Sequence, residues 1–150
     1  MKLTKIVALS SLLVSSQVLA FPCFMTAVKD SCWGDYDVTV VVRNAITGDT
    51  LTTVEVPKGQ FWTRVPFTCE GGQRLGYSAT FEPTIWDSGK GAVYQGTQYT
   101  LLPLAPKPTE KAWEIPICFP AAFPGTPYPP TASGNCKCDM KSIPPVPPMK

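Results

Sequence analysis

The sequence predicts an all-β fold: a disulfide-stabilised antiparallel β-sandwich of the immunoglobulin-like kind, followed by a proline-rich C-terminal extension. Short β-branched segments recur along the chain and are separated by turn residues. No 3.6-residue period is visible beyond the N-terminal leader. Six cysteines in an exported chain indicate disulfide bonds. An open β-barrel is the main alternative architecture.

The first 20 residues have the order of a secretory signal peptide. Lys2 and Lys5 form a basic start, residues 6–14 are mostly apolar, and Ala20 is a small residue at the expected cleavage site. The apolar run is far shorter than the roughly 20 residues that span a bilayer. We therefore expect cleavage after Ala20, a mature chain that begins at Phe21, a periplasmic or secreted location and no direct membrane span.

Eight segments read as strands because they are β-branched or alternate between apolar and polar residues. They are residues 37–43, 51–56, 60–67, 74–82, 84–86, 92–94, 98–102 and 113–119. Val38, Val40 and Val42 are expected to share one face of the first segment. The turn Thr47-Gly48-Asp49 predicts a hairpin between the first two segments.

Proline divides the mature chain into two parts. Of the 17 prolines, 13 lie from Pro103 onward, and proline excludes central strands. The predicted organisation is a signal peptide at 1–20, a β-sandwich domain at 21–119 and a proline-rich, cysteine-containing extension at 120–150. Within that extension, residues 143–148 favour polyproline II.

The charge balance excludes some classes of partner. Removal of Lys2 and Lys5 equalises the 13 basic and 11 acidic residues. A neutral mature chain has no basic surplus for phosphates, so we expect no nucleic-acid binding.

The absence of histidine excludes Ser-His and Cys-His nucleophiles and histidine-ligated metals. Asp35 and Asp37 could meet a cation or act as acid and base, but we favour a polar entrance to the strand. We expect no enzymatic activity, no cofactor and no metal.

All six cysteines are expected to form disulfides: Cys23, Cys32, Cys69, Cys118, Cys136 and Cys138. Cys136 and Cys138 should not bridge each other, because a bond across one residue is strained. Bridges from the tail to the body would anchor both chain ends, and Cys69 could bridge Cys118. A reactive Cys136/Cys138 thiol pair is the alternative interpretation.

Two groups of residues are candidates for partner binding. Trp62 and Arg64 point outward if Val65 and Phe61 face the core, and exposed Trp and Arg are common interface anchors. The stiff segment Pro144, Pro145, Val146, Pro147 and Pro148 would lose little entropy on docking into an aromatic groove. Edge strands of the sandwich offer a further mode of docking.

Three segments carry a resemblance to a known family: Phe21-Pro22-Cys23-Phe24, residues 28–33 (VKDSCW) and residues 133–140 (SGNCKCDM). The chain resembles small periplasmic accessory subunits of the Dot/Icm type IVB secretion outer-membrane complex of Legionella-type bacteria. This resemblance implies a structural subunit held by larger envelope proteins, and it implies no functional residue.

The expected function is that of an exported, non-catalytic interaction protein in a bacterial cell-envelope or secretion-system assembly. A secreted glycan-binding module or enzyme inhibitor is one alternative, and a thiol-disulfide protein is another.

Overall fold

The computed structural model describes residues 19–148. The predicted signal peptide falls almost wholly on residues 1–18, which lie outside the described residues, as do residues 149–150. Within the described part of the chain, no helix is long and apolar enough to cross a membrane.

Within residues 19–148, eight strands follow one another, and one short 3₁₀ turn interrupts them at Asp87–Gly89. The strands are β1 (Ala20–Lys29), β2 (Asp37–Asn44), β3 (Thr50–Val56), β4 (Trp62–Glu70), β5 (Arg74–Glu82), β6 (Tyr94–Gln95), β7 (Thr100–Leu101) and β8 (Trp113–Phe119).

Two sheets share these strands and pack face to face. The three-stranded sheet has the order β4-β1-β8, and the five-stranded sheet has the order β3-β2-β5-β6, with β7 also paired to β5. The predicted disulfide-stabilised β-sandwich is therefore confirmed. One pairing departs from the antiparallel expectation, because β8 runs parallel to β1.

The core lies between the sheets and is supplied by alternate residues of each strand. Val38, Val40 and Val42 of β2 are each 0% exposed, as expected for one shared inward face. Leu75, Tyr77, Ala79 and Phe81 of β5 fill the same layer. Because β2 and β5 alternate between apolar and polar or small residues, the sequence predicted both strands within one residue of their observed ends.

Strand β1 was not predicted from the sequence. β1 lies at the centre of its sheet, between β4 and β8. Its residues are buried without a break from Cys23 to Lys29. A strand covered on both faces has no polar alternation, which is the signal used to find the others.

The predicted strand at residues 84–86 is also wrong. This segment is a bend that leads into the 3₁₀ turn at Asp87–Gly89. The next two strands, β6 and β7, are shorter than predicted and contain two residues each.

Trp33 is the aromatic centre of the core. It is 0% exposed, and its ring centroid lies 4.7 Å from that of Phe81, 4.8 Å from that of Phe119 and 5.0 Å from that of Tyr36. These edge-to-face contacts join the loop after β1 to both sheets, so Trp33 fixes the chain where β1 ends.

Three disulfides join distant parts of the chain, in agreement with the prediction of disulfide bonds. Cys23 is bonded to Cys69, Cys32 to Cys136, and Cys118 to Cys138. The expected Cys69–Cys118 bridge is wrong: Cys69 lies on β4 beside β1 and meets Cys23 there. The other two bridges fasten residues 136–138 to the body, and Cys136 and Cys138 do not bridge each other.

Lys29 is a buried cation at the end of β1. Its side chain is 1% exposed, and Nζ donates hydrogen bonds to Tyr36 O at 2.6 Å and Pro57 O at 2.9 Å. Burial lowers the pKa of Lys29, whereas the carboxylates of Asp37 and Asp35 act to raise it. Lys29 therefore ties the loops that flank β2 and β3 to the end of β1.

Replacement of Lys29 by Met tests this anchor. We expect the free energy of unfolding to fall by about 2–4 kcal/mol, because two carbonyls lose their donor. Urea denaturation measures the loss, and Lys58→Met on the exposed turn is the matched control.

The pH dependence of the Lys29→Met effect is a second readout. Between the lowered folded-state pKa of Lys29 and its ordinary value, only the unfolded chain binds the proton. Wild-type stability therefore gains with rising pH across that window, and the variant lacks this gain. A difference between the two proteins that does not change as the pH rises to 10.5, the ordinary pKa of lysine, would contradict the assignment.

Candidate interaction surface

The predicted anchors Trp62 and Arg64 lie on the outer face of the three-stranded sheet, which is the face turned away from the core. In register, Trp62 is opposite Val28 and Arg64 is opposite Thr26. Val65 packs against the core as expected, but Phe61 is 47% exposed and precedes the strand. The strand geometry was thus predicted correctly for Val65 and wrongly for Phe61.

Arg64 is not an exposed anchor, because its side chain is only 9% exposed. Its Nη2 donates to Glu114 Oε1 at 2.7 Å and to Pro144 O at 2.7 Å. Its Nε donates to Thr26 Oγ1 at 3.1 Å, and Thr26 Oγ1 donates in turn to Glu114 Oε1 at 2.8 Å. The guanidinium therefore links all three strands of the sheet to the tail.

The tail that was predicted to bind a partner is bound to its own sheet. We define the tail as residues 136–148. Pro144 O and Pro145 O accept hydrogen bonds from Arg64, and Cys138 Sγ lies 3.5 Å from Val28 O. Pro147 and Pro148 are exposed and Val146 is half-buried. The two groups of predicted binding residues therefore meet each other within one chain.

Trp62 is partly covered in the same arrangement. Its ring lies 5.5 Å from the Arg64 guanidinium carbon, within the range of a cation–π interaction. The free surface left by Trp62 is consequently smaller than the sequence suggested.

An exposed apolar surface that the sequence analysis missed lies at one end of the five-stranded sheet. We call Tyr99, Leu101 and Leu104 the apolar patch; their side chains are 63%, 66% and 86% exposed. All three come from one short segment around β7. Large exposed apolar side chains that cluster in this way mark interaction sites in soluble proteins.

The backbone holds the apolar patch in place. Leu102 N donates to Gln73 O at 2.9 Å, and Gly72 N donates to Pro103 O at 2.9 Å. A Cβ on Gly71 would collide with the carbonyl oxygen of Leu104, so this close approach requires glycine. Leu102 is 4% exposed and points inward, which leaves its neighbours on the outer side.

One sequence signal could have found this patch. Leu101 and Leu102 are adjacent, and successive residues of a strand point to opposite faces. Both cannot enter the same core, so one of the two leucines faces away from it. Alternation alone does not show which leucine is buried or whether the outer face is covered, because the burial of each face depends on the tertiary packing.

Glu110 organises the loop that connects the patch to β8. Its Oε2 accepts hydrogen bonds from Lys107 N at 2.8 Å and from Trp113 Nε1 at 3.2 Å. These donors, the backbone N–H of Lys107 first, lower the pKa of the Glu110 carboxyl. The loop is therefore closed by its own carboxylate rather than by a ligand.

The candidate carboxylates Asp35 and Asp37 have structural contacts within the fold. Asp37 Oδ1 accepts a hydrogen bond from Lys58 N at 2.6 Å, and both carboxylates act on the buried Lys29 ammonium. This is the polar strand entrance that the sequence analysis favoured, with Lys29 as the cation.

A comparison of the chain with protein-family models and with curated proteins finds no match.

Substitution of Arg64 by Ala tests the link between sheet and tail. We expect the free energy of unfolding to fall by about 2–4 kcal/mol, since charged hydrogen bonds are lost and the carbonyls of Pro144 and Pro145 lose their donor. Hydrogen exchange should rise at the amides of Met140–Val146 in this variant. Arg43→Ala, at an exposed arginine of β2, is the control.

Truncation after Ser142 completes a double-mutant cycle with Arg64→Ala. In the truncated chain the Arg64→Ala substitution should cost less than in the full chain, because the tail carbonyls are already absent. Equal costs in both backgrounds would contradict a direct contact between Arg64 and the tail.

Proposed function

We propose that the protein is an exported, non-catalytic interaction protein that serves as a structural subunit of a bacterial cell-envelope assembly of the secretion-system kind. The observation that carries this proposal is the apolar patch of Tyr99, Leu101 and Leu104. Burial of three such side chains against another protein would remove apolar surface from water, which is the main driving force of association.

The arrangement of sheet edges supports a protein partner. An unpaired edge strand can accept an added strand from another chain. Pro66 lies within edge strand β4 and Pro116 within edge strand β8, and proline removes a backbone donor. The seven residues of β3 form an edge without proline. β3 is therefore the edge best suited to strand addition.

The disulfides support a role outside the cytoplasm. Three bridges are consistent with an oxidising, extracytoplasmic compartment. They hold the core strands and the tail in one arrangement, which suits a subunit that presents a fixed surface.

The two alternative functions have less support. A glycan-binding module needs aligned exposed rings, but Trp86 and Tyr128 lie on separate loops, and two of the three patch residues are leucines. A thiol-disulfide protein needs a reactive cysteine pair, but Cys136 and Cys138 belong to two different bridges.

Affinity purification from gently solubilised envelopes of the native host tests the proposal. We expect the tagged protein to recover envelope proteins in fixed ratio. The double substitution Leu101→Asp and Leu104→Asp should reduce this recovery by about tenfold or more, because the apolar contact is replaced by buried charge.

The matched control is Val93→Asp, which places the same charge on another exposed apolar residue. Val93 precedes β6, whose partner Ala79 lies towards the opposite end of β5 from the patch. Thermal unfolding should be nearly unchanged in both proteins, since the substituted side chains are exposed. Recovery of the tagged wild type alone would refute the proposed function.

A further inference from the structure

A cavity lies between the end of β1 and the loop that precedes the tail. Its volume is about 440 Å³, and its walls include Pro120, Ala121, Pro129 and the Cys136 end of a disulfide. The Tyr128 ring, 72% exposed, stands at its rim. The cavity is therefore largely apolar and open at one side.

One charged group reaches this cavity, the carboxyl of Asp30. Asp30 is 5% exposed, and its Oδ1 accepts a hydrogen bond from Cys32 N at 2.9 Å. Among residues 19–148 the one ion pair joins Arg64 to Glu114, so no cation of the described chain neutralises Asp30. Burial raises the pKa of the Asp30 carboxyl, whereas the N–H groups of Cys32 and Trp33 act to lower it.

A buried carboxylate without a counter-charge is costly, and such groups concentrate at binding sites. Asp30 also bounds a cavity with apolar walls and one convergent polar group, which is the usual form of a recognition pocket. The hydrogen bond from Cys32 N gives one oxygen of the Asp30 carboxylate a partner and closes the turn. It does not explain why an acid, rather than asparagine or serine, caps the turn beside an open cavity.

A metal ion is a poor occupant of this site. The sulfurs of Cys32 and Cys136 and a carboxylate oxygen of Asp30 lie within 4.8 Å of one another, but the two sulfurs are bonded to each other. A disulfide supplies no thiolate, so one carboxylate would remain as the charged ligand. An organic cation with an apolar stem matches both the charge and the walls.

We propose that this cavity receives a basic side chain, lysine or arginine, from a protein partner. The ammonium or guanidinium group would pair with the Asp30 carboxylate, and the methylene stem would lie against Pro120 and Pro129. The Tyr128 ring offers a face for the cation at the entrance. This inference rests on the proposed interaction function and adds a charge-selective site, on residues separate from the apolar patch.

The test uses the purified full-length mature protein and n-butylammonium chloride, a mimic of the lysine side chain. In amide NMR titrations at constant ionic strength we expect saturable shifts at Asp30–Cys32, Ala121 and Cys136. The neutral analogue 1-butanol should produce shifts at least about tenfold weaker in apparent affinity, since it lacks the charge.

Asp30→Asn is the decisive variant. Asparagine keeps an oxygen that accepts the Cys32 N–H but carries no charge, so the fold should be retained. We expect the affinity for n-butylammonium to fall by about tenfold to a hundredfold. Asp139→Asn is the matched control, because Asp139 also caps a turn through Oδ1 but is exposed and lies outside the cavity.

Equal binding of 1-butanol, or unchanged binding by Asp30→Asn, would overturn the site. The titration needs no partner, so its result is distinct from that of the affinity purification. If wild-type pull-downs recover partners and Asp30→Asn recovers them undiminished, the cavity does not contribute to that interface and the proposal fails as well.

Discussion

A strand that is buried on both faces needs a layer of protein on each side, and β1 is such a strand. The core and the five-stranded sheet cover Cys23, Met25 and Ala27. The opposite face carries Phe24, Thr26 and Val28, which are equally shielded from water. A three-stranded sheet with only one covered face would leave this row exposed. The tail is therefore part of the fold, because it contributes to the third layer that β1 requires.

The attachment of the tail reflects its composition. A proline-rich segment forms few backbone hydrogen bonds of its own and cannot join the sheet as a strand. The chain fastens it instead by the disulfides of Cys136 and Cys138 and by the Arg64 guanidinium, which donates to the carbonyls of Pro144 and Pro145. Each disulfide contributes about 2–4 kcal/mol by restricting the unfolded chain. Covalent and charged links thus replace the ladder hydrogen bonds that hold the other layers.

This arrangement explains which features the sequence could predict. In the sequences of strands β2, β3 and β5, apolar residues alternate with polar or small ones, and this alternation located the three strands. β1 has no such alternation, so its place at the centre of a sheet was not found. Arg64 was expected to be exposed because strand alternation places its side chain on the other face of β4 from the side chain of Val65. Alternation identifies the face on which a side chain lies, but it does not reveal that a distant segment covers that face.

The same reasoning applies to the candidate sites. The cysteines were recognisable by residue type, whereas the Cys23–Cys69 bridge depended on β1 lying beside β4, and the other two bridges depended on where the tail lies. Tyr99, Leu101 and Leu104 become an apolar patch only when the segment around β7 docks against Gly71 and Gly72. Asp30 was not predicted as a site residue, because the cavity that it lines is built with residues 120–136, which are far from it in the sequence. In each case the missing information was a contact between segments that are far apart in the sequence.

The tail therefore changes where a partner would be sought. Once Arg64, Pro144 and Pro145 are engaged with each other, their hydrogen-bonding capacity is no longer available to another protein. The surfaces that keep unused binding capacity are the apolar patch, the open edge of β3 and the cavity at Asp30. Each would bind by a different interaction: the apolar patch by burial of apolar surface, the edge of β3 by backbone hydrogen bonds, and the cavity at Asp30 by charge. A partner that contacted both the apolar patch and the cavity at Asp30 would gain affinity from the apolar contact. The single carboxylate would fix the orientation of that partner, because a lone charge in an apolar cavity admits one placement of a cation.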